Sequence, residues 1–359
     1  MESATAITTT NQLIEYLDSK NIPHQHVSPI SGGSSNFLWR MTTPSGEDKI
    51  VKHAEPFLAT RPTTPFPLYR MGLEVHALDI IPRVLASGGQ KKDSMIRLPT
   101  LTSYDKDSHV LILDDMGRDS LHAVYEDPRL DIQMVGASIG RWLARVHNST
   151  TPEEIKRKFE HPTARRMYRW NFNNLSSVLE RYGYDPAPGE RLNAKYGALL
   201  ETDELCVCHG DLWPGNILVS DLTDQTQAEN LRLTVIDWEV ARLGNGVTDV
   251  AHFAGEAWLL DHLRGGRGLM PAFLNAYLAE RPLSDHEKQR VAAQFGTHIT
   301  HWPTIYGWIQ DKDKAGCIAH GNSIIQMVDD MKWESLKSSE LGILFTTTKE
   351  HTQLTTLPN

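Results

Sequence analysis

The 359-residue sequence predicts an α+β fold with a β-rich N-terminal part and a mainly helical C-terminal part. Three observations predict it. Strand-like runs bounded by Gly, Pro and Ser clusters fill much of the stretch before Gly117. From about residue 130 the apolar positions recur at helical spacing. One hairpin, 204–219 with 231–237, interrupts the second part.

The elements follow in order. Residues 10–20 form a short amphipathic helix with Leu13, Ile14 and Leu17 on one side and Thr10 or Asn11 as its cap. SPISGGSSNFLWRMTTPSGEDKIVKHA reads as a Gly/Ser turn, a strand over Asn36–Thr42, a tight PSGED turn and a strand over Lys49–His53. A Pro-rich connector, RPTTPFPLYR, leads to a helix around 69–82. SHVLILDDMG is a continuous apolar strand that ends at Gly117, which divides the chain into units 1–117 and 118–359. Beyond it Leu130, Ile132, Val135, Ile139, Trp142, Leu143 and Val146 make one helix face, and 164–182 gives another helix. After the hairpin and its polar loop SDLTDQTQAEN, residues 248–335 read helical again. No internal repeat is present.

A formal net charge of −9 argues against a general nucleic-acid binder, which needs a basic face. It leaves room for a local basic pocket. Cys206, Cys208 and Cys317 are too few for a disulfide framework and point to a reducing compartment. Cys206, Cys208 and His209 could be read as a metal cluster. Alternating small apolar residues on a buried strand explain the two cysteines better, because no second ligand pair stands at zinc spacing. There is no basic-then-apolar leader and no apolar run near the ~20 residues of a membrane span. The expectation is a soluble, cytoplasmic protein without a membrane or nucleic-acid partner; its oligomeric state is left open.

The chemistry concentrates in CHGDLWPGNILV, residues 208–219. His209, Asp211 and Asn216 match the H-x-D-x-x-x-x-N loop of phosphoryl transferases. Asp211 can take the proton of an attacking hydroxyl. Asn216 offers Mg²⁺ a neutral oxygen, and Pro214 and Gly215 turn the loop so that both face one cleft. In LTVIDWEV, Asp237 and Glu239 end an apolar strand. Asp237 would hold the metal from the side opposite Asn216, since Mg²⁺ prefers oxygen ligands. Glu239 shares its strand parity and would reach a second metal position or its water shell, or it is a solvated residue just past the strand.

The nucleotide side falls to the N-terminal part. SGGSSN, with Ser34, Ser35 and Asn36, is placed to cover phosphates, and it serves equally as a plain hairpin turn. Lys52 sits in an apolar strand, where its charge needs a partner. Glu74, on a helix whose Leu73, Ala77 and Ile80 face a core, is the candidate, and the pair would aim Lys52 at the α- and β-phosphates. VLILDDMG is the hinge strand, with Leu113 and Asp115 offering backbone groups to adenine. Asp249 is a structural residue that accepts backbone N–H groups of the catalytic loop. For the acceptor, Trp213 and Trp302 are the expected pocket walls, in a region that also holds Trp258, Trp308, Glu256, Asp261 and His301. Aromatic faces beside acids suit a small amino-alcohol or hydroxyarylamine, although tryptophans at such positions are more often core packing.

HGDLWPGNILV, IDWE and DVAHF, in this order, resemble the aminoglycoside-phosphotransferase-like kinase superfamily. SGGSSNFLWR, IVKHAEP, LEVHAL and LILDDMG resemble the N-terminal lobe of its methylthioribose-kinase-like branch. DLWPGNIL, with DWE carrying a Trp after the metal Asp, is most similar to fungal enzymes of the 4-hydroxytryptamine kinase type. The resemblance covers nearly the whole chain after residue 10. It implies a bilobal protein-kinase-like fold that uses ATP and Mg²⁺ to phosphorylate a hydroxyl of a small molecule. It implies Asp211 as base, Asn216 and Asp237 as metal ligands, and Lys52 on the phosphates. The paired C-terminal arginines of methylthioribose kinases are missing, with THITHWPTIYGW in their region, which speaks against methylthioribose as acceptor. A kinase-fold binding protein without turnover, and a kinase for a sugar or aminoglycoside, stay open. A protein kinase does not fit, since G-x-G-x-x-G, A-P-E and room for an activation loop are lacking.

Overall fold

A computed structural model describes residues 6–87, 95–222 and 231–346. Helix α1 (Thr10–Ser19) opens on a capping box. Its cap is Thr9, one residue before the expected Thr10, because Gln12 at the third helical position is what reaches back to the Thr9 backbone. Strands β1 (His26–Pro29), β2 (Phe37–Thr42) and β3 (Asp48–His53) follow. The Pro-rich connector contains a ribbon, β4 (Phe57–Leu58) with β5 (Arg61–Pro65). Prolines are tolerated there because both strands of a two-stranded ribbon are edges.

Helix α2 (Arg70–Ser87) continues past Pro82, where the sequence suggested its end. A proline removes one hydrogen bond of the ladder, and the packing of Ile80, Ile81, Val84 and Leu85 on the core carries the helix onward. Strands β6 (Ile96–Arg97), β7 (Leu101–Asp105) and β8 (Val110–Asp114) complete this part. The antiparallel sheet runs β1-β2-β3-β8-β7. On one face Trp39, Met41, Val51, Val110 and Ile112 pack with Leu13 and Leu17 of α1. On the other, Leu111 and Leu113 join a core with Met71, Ala77 and Ile81 of α2. Strand parity therefore turns Lys52, next to Val51, toward α2.

The chain then forms β9 (Asp119–Ser120), α3 (Leu121–Val124), α4 (Ile132–Ser149), α5 (Glu153–Lys156), α6 (Pro162–Arg181) and α7 (Ala187–Leu192). Strands β10 (Cys206–Cys208), β11 (Ile217–Ser220), β12 (Arg232–Val235) and β13 (Arg242–Gly244) come next. Helices α8 (Val247–Leu263), α9 (Leu269–Glu280), α10 (Asp285–His301), α11 (Asp311–Asp329) and α12 (Trp333–Lys337) end the described chain. Instead of one hairpin there are two nested pairings, β11 with β12 and β10 with β13. Residues 204–219 are not one strand, because a 3₁₀ turn at Pro214–Asn216 separates β10 from β11. The polar loop between β11 and β12 lies mostly outside the described residues. Strand β6, before Gly117, pairs in parallel with β12, so the sheet β6-β12-β11-β9 draws on both sides of that glycine. Among the described residues no helix is long and apolar enough to cross a membrane.

Candidate active site

Strand β10 delivers the chain into the loop that begins at His209. Asp249, fully buried in the first turn of α8, accepts the N–H groups of His209 (2.7 Å) and Gly210 (3.0 Å). His147 adds a 3.2 Å contact to the same carboxylate. Burial works against this charge, but His147 and the hydrogen bonds hold the Asp249 pKa well below the ordinary range. The position is structural, as the sequence suggested. Both His147 nitrogens are engaged, by Asp249 and the Tyr277 hydroxyl, and the three cysteines are buried free thiols. Gly210 has φ +89, and a Cβ there would stand 2.4 Å from the Val240 carbonyl oxygen. Only glycine allows the loop to run this close to its neighbour.

His209 Nε2 donates to the Ile236 carbonyl (3.0 Å), while Nδ1 accepts the Asp211 N–H (3.2 Å). This one ring joins the two acidic segments and fixes its own tautomer. The Asn216 amide donates to Asp211 Oδ2 (3.0 Å) and to the Asp211 carbonyl (2.9 Å). Asn216 Oδ1 is thereby left as an acceptor. Burial and then the Asp237 charge push the Asp211 carboxyl up to about 7.

Asp237 stands at φ 67, in the left-handed region, and residues 238–240 form a 3₁₀ turn. Strand β12 has ended at Val235, so the strand-parity argument for Glu239 does not apply. Lys52 Nζ lies 2.7 Å from Glu74 and 2.5 Å from Asp237. Burial pulls the Lys52 pKa down, but Asp237 and Glu74 outweigh it and keep the ammonium charged. Burial likewise disfavours the Asp237 carboxylate, and Lys52 holds it below its ordinary value.

Arg70 is the residue the sequence reading missed. It is fully buried at the start of α2 and donates from Nε to Glu239 Oε2 (3.0 Å). Its other nitrogens reach Asn36 Oδ1 and the carbonyls of Ser35, Glu55, Phe66 and Pro67. Asn36 Nδ2 donates to the same Glu239 oxygen (2.7 Å). Glu239 is thus buried and ion-paired, leaving Oε1 outside these bonds, and the Asn36 side chain is held by Arg70 and Glu239. The only sequence signal was an arginine one helical turn before Glu74. The Ser34 carbonyl is tied to Thr60, which fastens the Gly/Ser turn to the ribbon. Leu113 pairs with Ile50 in the sheet. The Asp115 N–H donates to the Asp48 carbonyl and its side chain accepts from Arg40 Nε, so the Asp115 backbone donor is already engaged.

A cavity of about 570 Å³ gathers these groups: Ser34, Ser35, Asn36, Lys52, Glu74, Leu113, Asp115, Asp211, Trp213, Asn216, Asp237 and Glu239 all line it. A second hollow, against α2 and α5, shares none of them. Trp302 does not line the cleft. It stacks on Tyr306 (5.3 Å), and Tyr306 in turn lies near-parallel to Trp213 (6.5 Å). Trp258 belongs to the core, stacked between His262 and His320. Asp261 accepts the Gly268, Leu269 and Met270 N–H groups at the start of α9. Glu256 is fully buried, takes hydrogen bonds from Tyr306 (2.5 Å) and His298 (2.6 Å), and its charge adds to the upward pressure on Asp211.

Residues 26–290 match the phosphotransferase enzyme family. The 4-hydroxytryptamine kinase of Psilocybe cyanescens is 25% identical over 333 residues, covering 87% of this chain and 91% of that protein. The enzyme of the same name from Psilocybe cubensis is 25% identical over 339 residues, with the same coverages. Among solved structures, an amicoumacin kinase in complex with AMP-PNP, Ca²⁺ and its antibiotic superposes with TM-score 0.54 at 14% identity, covering 90% of this chain and 94% of that one. A spectinomycin phosphotransferase bound to ADP and spectinomycin gives 0.51 at 15% identity, covering 89% and 98%.

Proposed function

Because the chain belongs to the phosphotransferase enzyme family, we propose that it moves the γ-phosphoryl group of ATP, with Mg²⁺, to a hydroxyl of a small amino-alcohol or hydroxyarylamine. The observation that carries this reading is the convergence of Asp211, Asn216, Asp237 and Lys52 on one cleft. The cleft volume is in the range of small-ligand sites.

In this reading the unit 1–117 holds the nucleotide and 118–359 supplies the chemistry. Lys52, positioned by Glu74, meets the α- and β-phosphates. The turn with Ser34 and Ser35 covers them, and the hinge near Leu113 and Asp115 receives the base. The donor set fits Mg²⁺: Asn216 Oδ1 and the second Asp237 oxygen are hard oxygen ligands outside the hydrogen bonds described above. When bound, the ion supplies positive charge to the phosphate oxygens. Glu239 would reach a metal only through Oε1 or an intervening water, since Oε2 belongs to Arg70 and Asn36. Asp211 accepts the acceptor's hydroxyl proton as that oxygen bonds to the γ-phosphorus and the bond to the β–γ bridging oxygen breaks, releasing ADP. A carboxyl near 7 is well matched to a base working near neutral pH. The acceptor class is supported by the aromatic groups beside Asp211 and by two relatives named for a hydroxyarylamine.

The test is incubation with ATP, Mg²⁺ and a panel of amino-alcohols, hydroxyindoles, sugars and aminoglycosides, read by mass spectrometry for phosphate addition. Phosphate on an amine-bearing alcohol is the expected result. Phosphate on sugars or aminoglycosides alone would replace the acceptor class. ATP binding without any transfer would favour a binding protein.

A further inference from the structure

Four partly exposed rings close a cycle beside Asp211. Trp213 lies 6.5 Å from Tyr306, Tyr306 5.9 Å from Trp308, Trp308 4.9 Å from His122, and His122 5.8 Å from Trp213. Of these four rings Trp213 alone lines the cleft, and it belongs to the catalytic loop, so the cycle meets the reacting centre through that ring. Behind it sits Glu256, joined to the Tyr306 hydroxyl. Its Oε2 is buried with no hydrogen-bond partner among the described residues.

The charge balance here is incomplete. Four acids among the described residues are almost wholly buried: Glu74, Glu239, Asp249 and Glu256. Glu74 has Lys52, Glu239 has Arg70, and Asp249 has His147 with two backbone donors. Glu256 has Tyr306 and His298. Burial lowers the pKa of both His298 and His252 to about 3, so these imidazoles are neutral at physiological pH and supply no counter-charge. His122 is also pulled below its ordinary value by burial. Among the described residues none of the chain's own cations lies over any of the four rings. Burial pushes the Glu256 pKa up and so disfavours its charged form, a cation brought beside it would favour the carboxylate again, and an aromatic cage attracts ammonium groups. A phenol that donates to a carboxylate also presents a more electron-rich ring.

We propose that this cage of Trp213, Tyr306, Trp308 and His122, with Glu256 behind it, seats the ammonium group of the acceptor. The inference rests on the kinase reading for the word acceptor, but the binding it describes needs no turnover. Seated there, the ammonium places the alcohol end of a short molecule toward Asp211, and Glu256 selects charged acceptors over uncharged ones.

The test is equilibrium binding of two matched pairs: tryptamine against N-acetyltryptamine, and ethanolamine against ethylene glycol. The charged member of at least one pair should bind the full-length protein about tenfold tighter, in the range expected for a cation on aromatic faces. Glu256→Gln should bring that ratio near one while leaving the ATP dissociation constant unchanged. Tyr306→Phe, which uncouples the ring from Glu256, should reduce the ratio in part and serves if Glu256→Gln does not fold. Equal binding within both pairs by the natural protein, or a ratio untouched by the substitutions, overturns the proposal. Preference for the charged probe without phosphorylation of any panel member would leave this site standing and remove the kinase reading. Phosphorylation without such a preference would do the reverse.

Discussion

On the nucleotide side of the cleft, Lys52 is shared between Glu74 and Asp237, and Arg70 joins Glu239, Asn36 and four backbone carbonyls. On the proposed acceptor side, Glu256 holds Tyr306 and His298 and no lysine or arginine among the described residues. The first region carries its own counter-charges, which keep the strand, helix and loop ends that make it in one geometry. The second leaves a carboxyl whose charged form burial disfavours until a cation meets it. Preorganisation favours the first arrangement for a ligand whose charged groups are always the same. The second suits a site whose ligand brings the missing group.

The largest effect should come from Asp211, which stands between the two regions. Asp211→Asn is expected to lower kcat by ~10²–10⁴, the worth of general-base assistance, with ATP affinity nearly unchanged. More than about a tenth of the natural rate remaining in a steady-state assay would show that the proton goes elsewhere.

Next come the buried charges themselves, whose removal distinguishes the two regions. Arg70→Met leaves Glu239 buried without a cation, and breaking such a pair costs roughly 3–5 kcal/mol. Urea unfolding should show that loss, and adding Glu239→Gln to Arg70→Met should recover part of it. Glu256→Gln removes a carboxyl whose charge burial already disfavours and strands no cation, so its unfolding midpoint should not fall below that of the natural chain. Equal destabilisation by Arg70→Met and Glu256→Gln would erase the contrast drawn between the regions.

That contrast also explains what could be read in advance. Asp211 and Asn216 were legible because the chemistry needs both on one short loop, so their spacing is fixed in the sequence. Lys52 and Glu74 were legible because a lysine in an apolar strand demands a partner and an acid on a core-facing helix supplies one. Arg70 was not, since its partners Ser35, Asn36 and Glu239 come from segments distant in sequence and from a turn with no strand pattern. The roles of Trp258 and Glu256 were not separable either. Val247 through Leu260 are all buried, so α8 shows no polar face from which to tell core from site. Pro82 misled the helix end because local propensity yields to packing.

A smaller effect is expected at Lys52 and the proposed metal ligands. Lys52→Met keeps the stem volume and should raise KM for ATP by about tenfold, the order of one lost charge-assisted contact of ~1.5 kcal/mol. Unchanged KM and kcat would reduce Lys52 to a structural counter-ion for Glu74. Titration calorimetry with and without Mg²⁺ should show Asp237→Ala removing metal-dependent ATP binding and Glu239→Ala weakening it only partly. Equal losses would mean that Glu239 binds the ion through Oε1 as strongly as Asp237 does.

The smallest effect is expected at Trp302, where the original pocket expectation meets the structure. Trp302 does not line the cleft, but its ring stacks on Tyr306 at 5.3 Å with planes 17° apart, and Tyr306 faces Trp213. On its other side it meets Trp170 and His301. In the proposed site Trp302 would act on an acceptor indirectly, by holding Tyr306 and, through His298, Glu256 in place. Trp302→Ala should free that ring and raise KM for the acceptor by a few-fold, within the ~0.5–1.5 kcal/mol of an aromatic pair. KM for ATP should not move, because Lys52, Asp237 and the Gly/Ser turn make no contact with this stack. Trp213→Ala, which removes a wall of the cleft, should raise acceptor KM more than Trp302→Ala does. A large fall in melting temperature with no selective change in acceptor KM would show that Trp302 is core like Trp258. The acceptor side would then end at Tyr306.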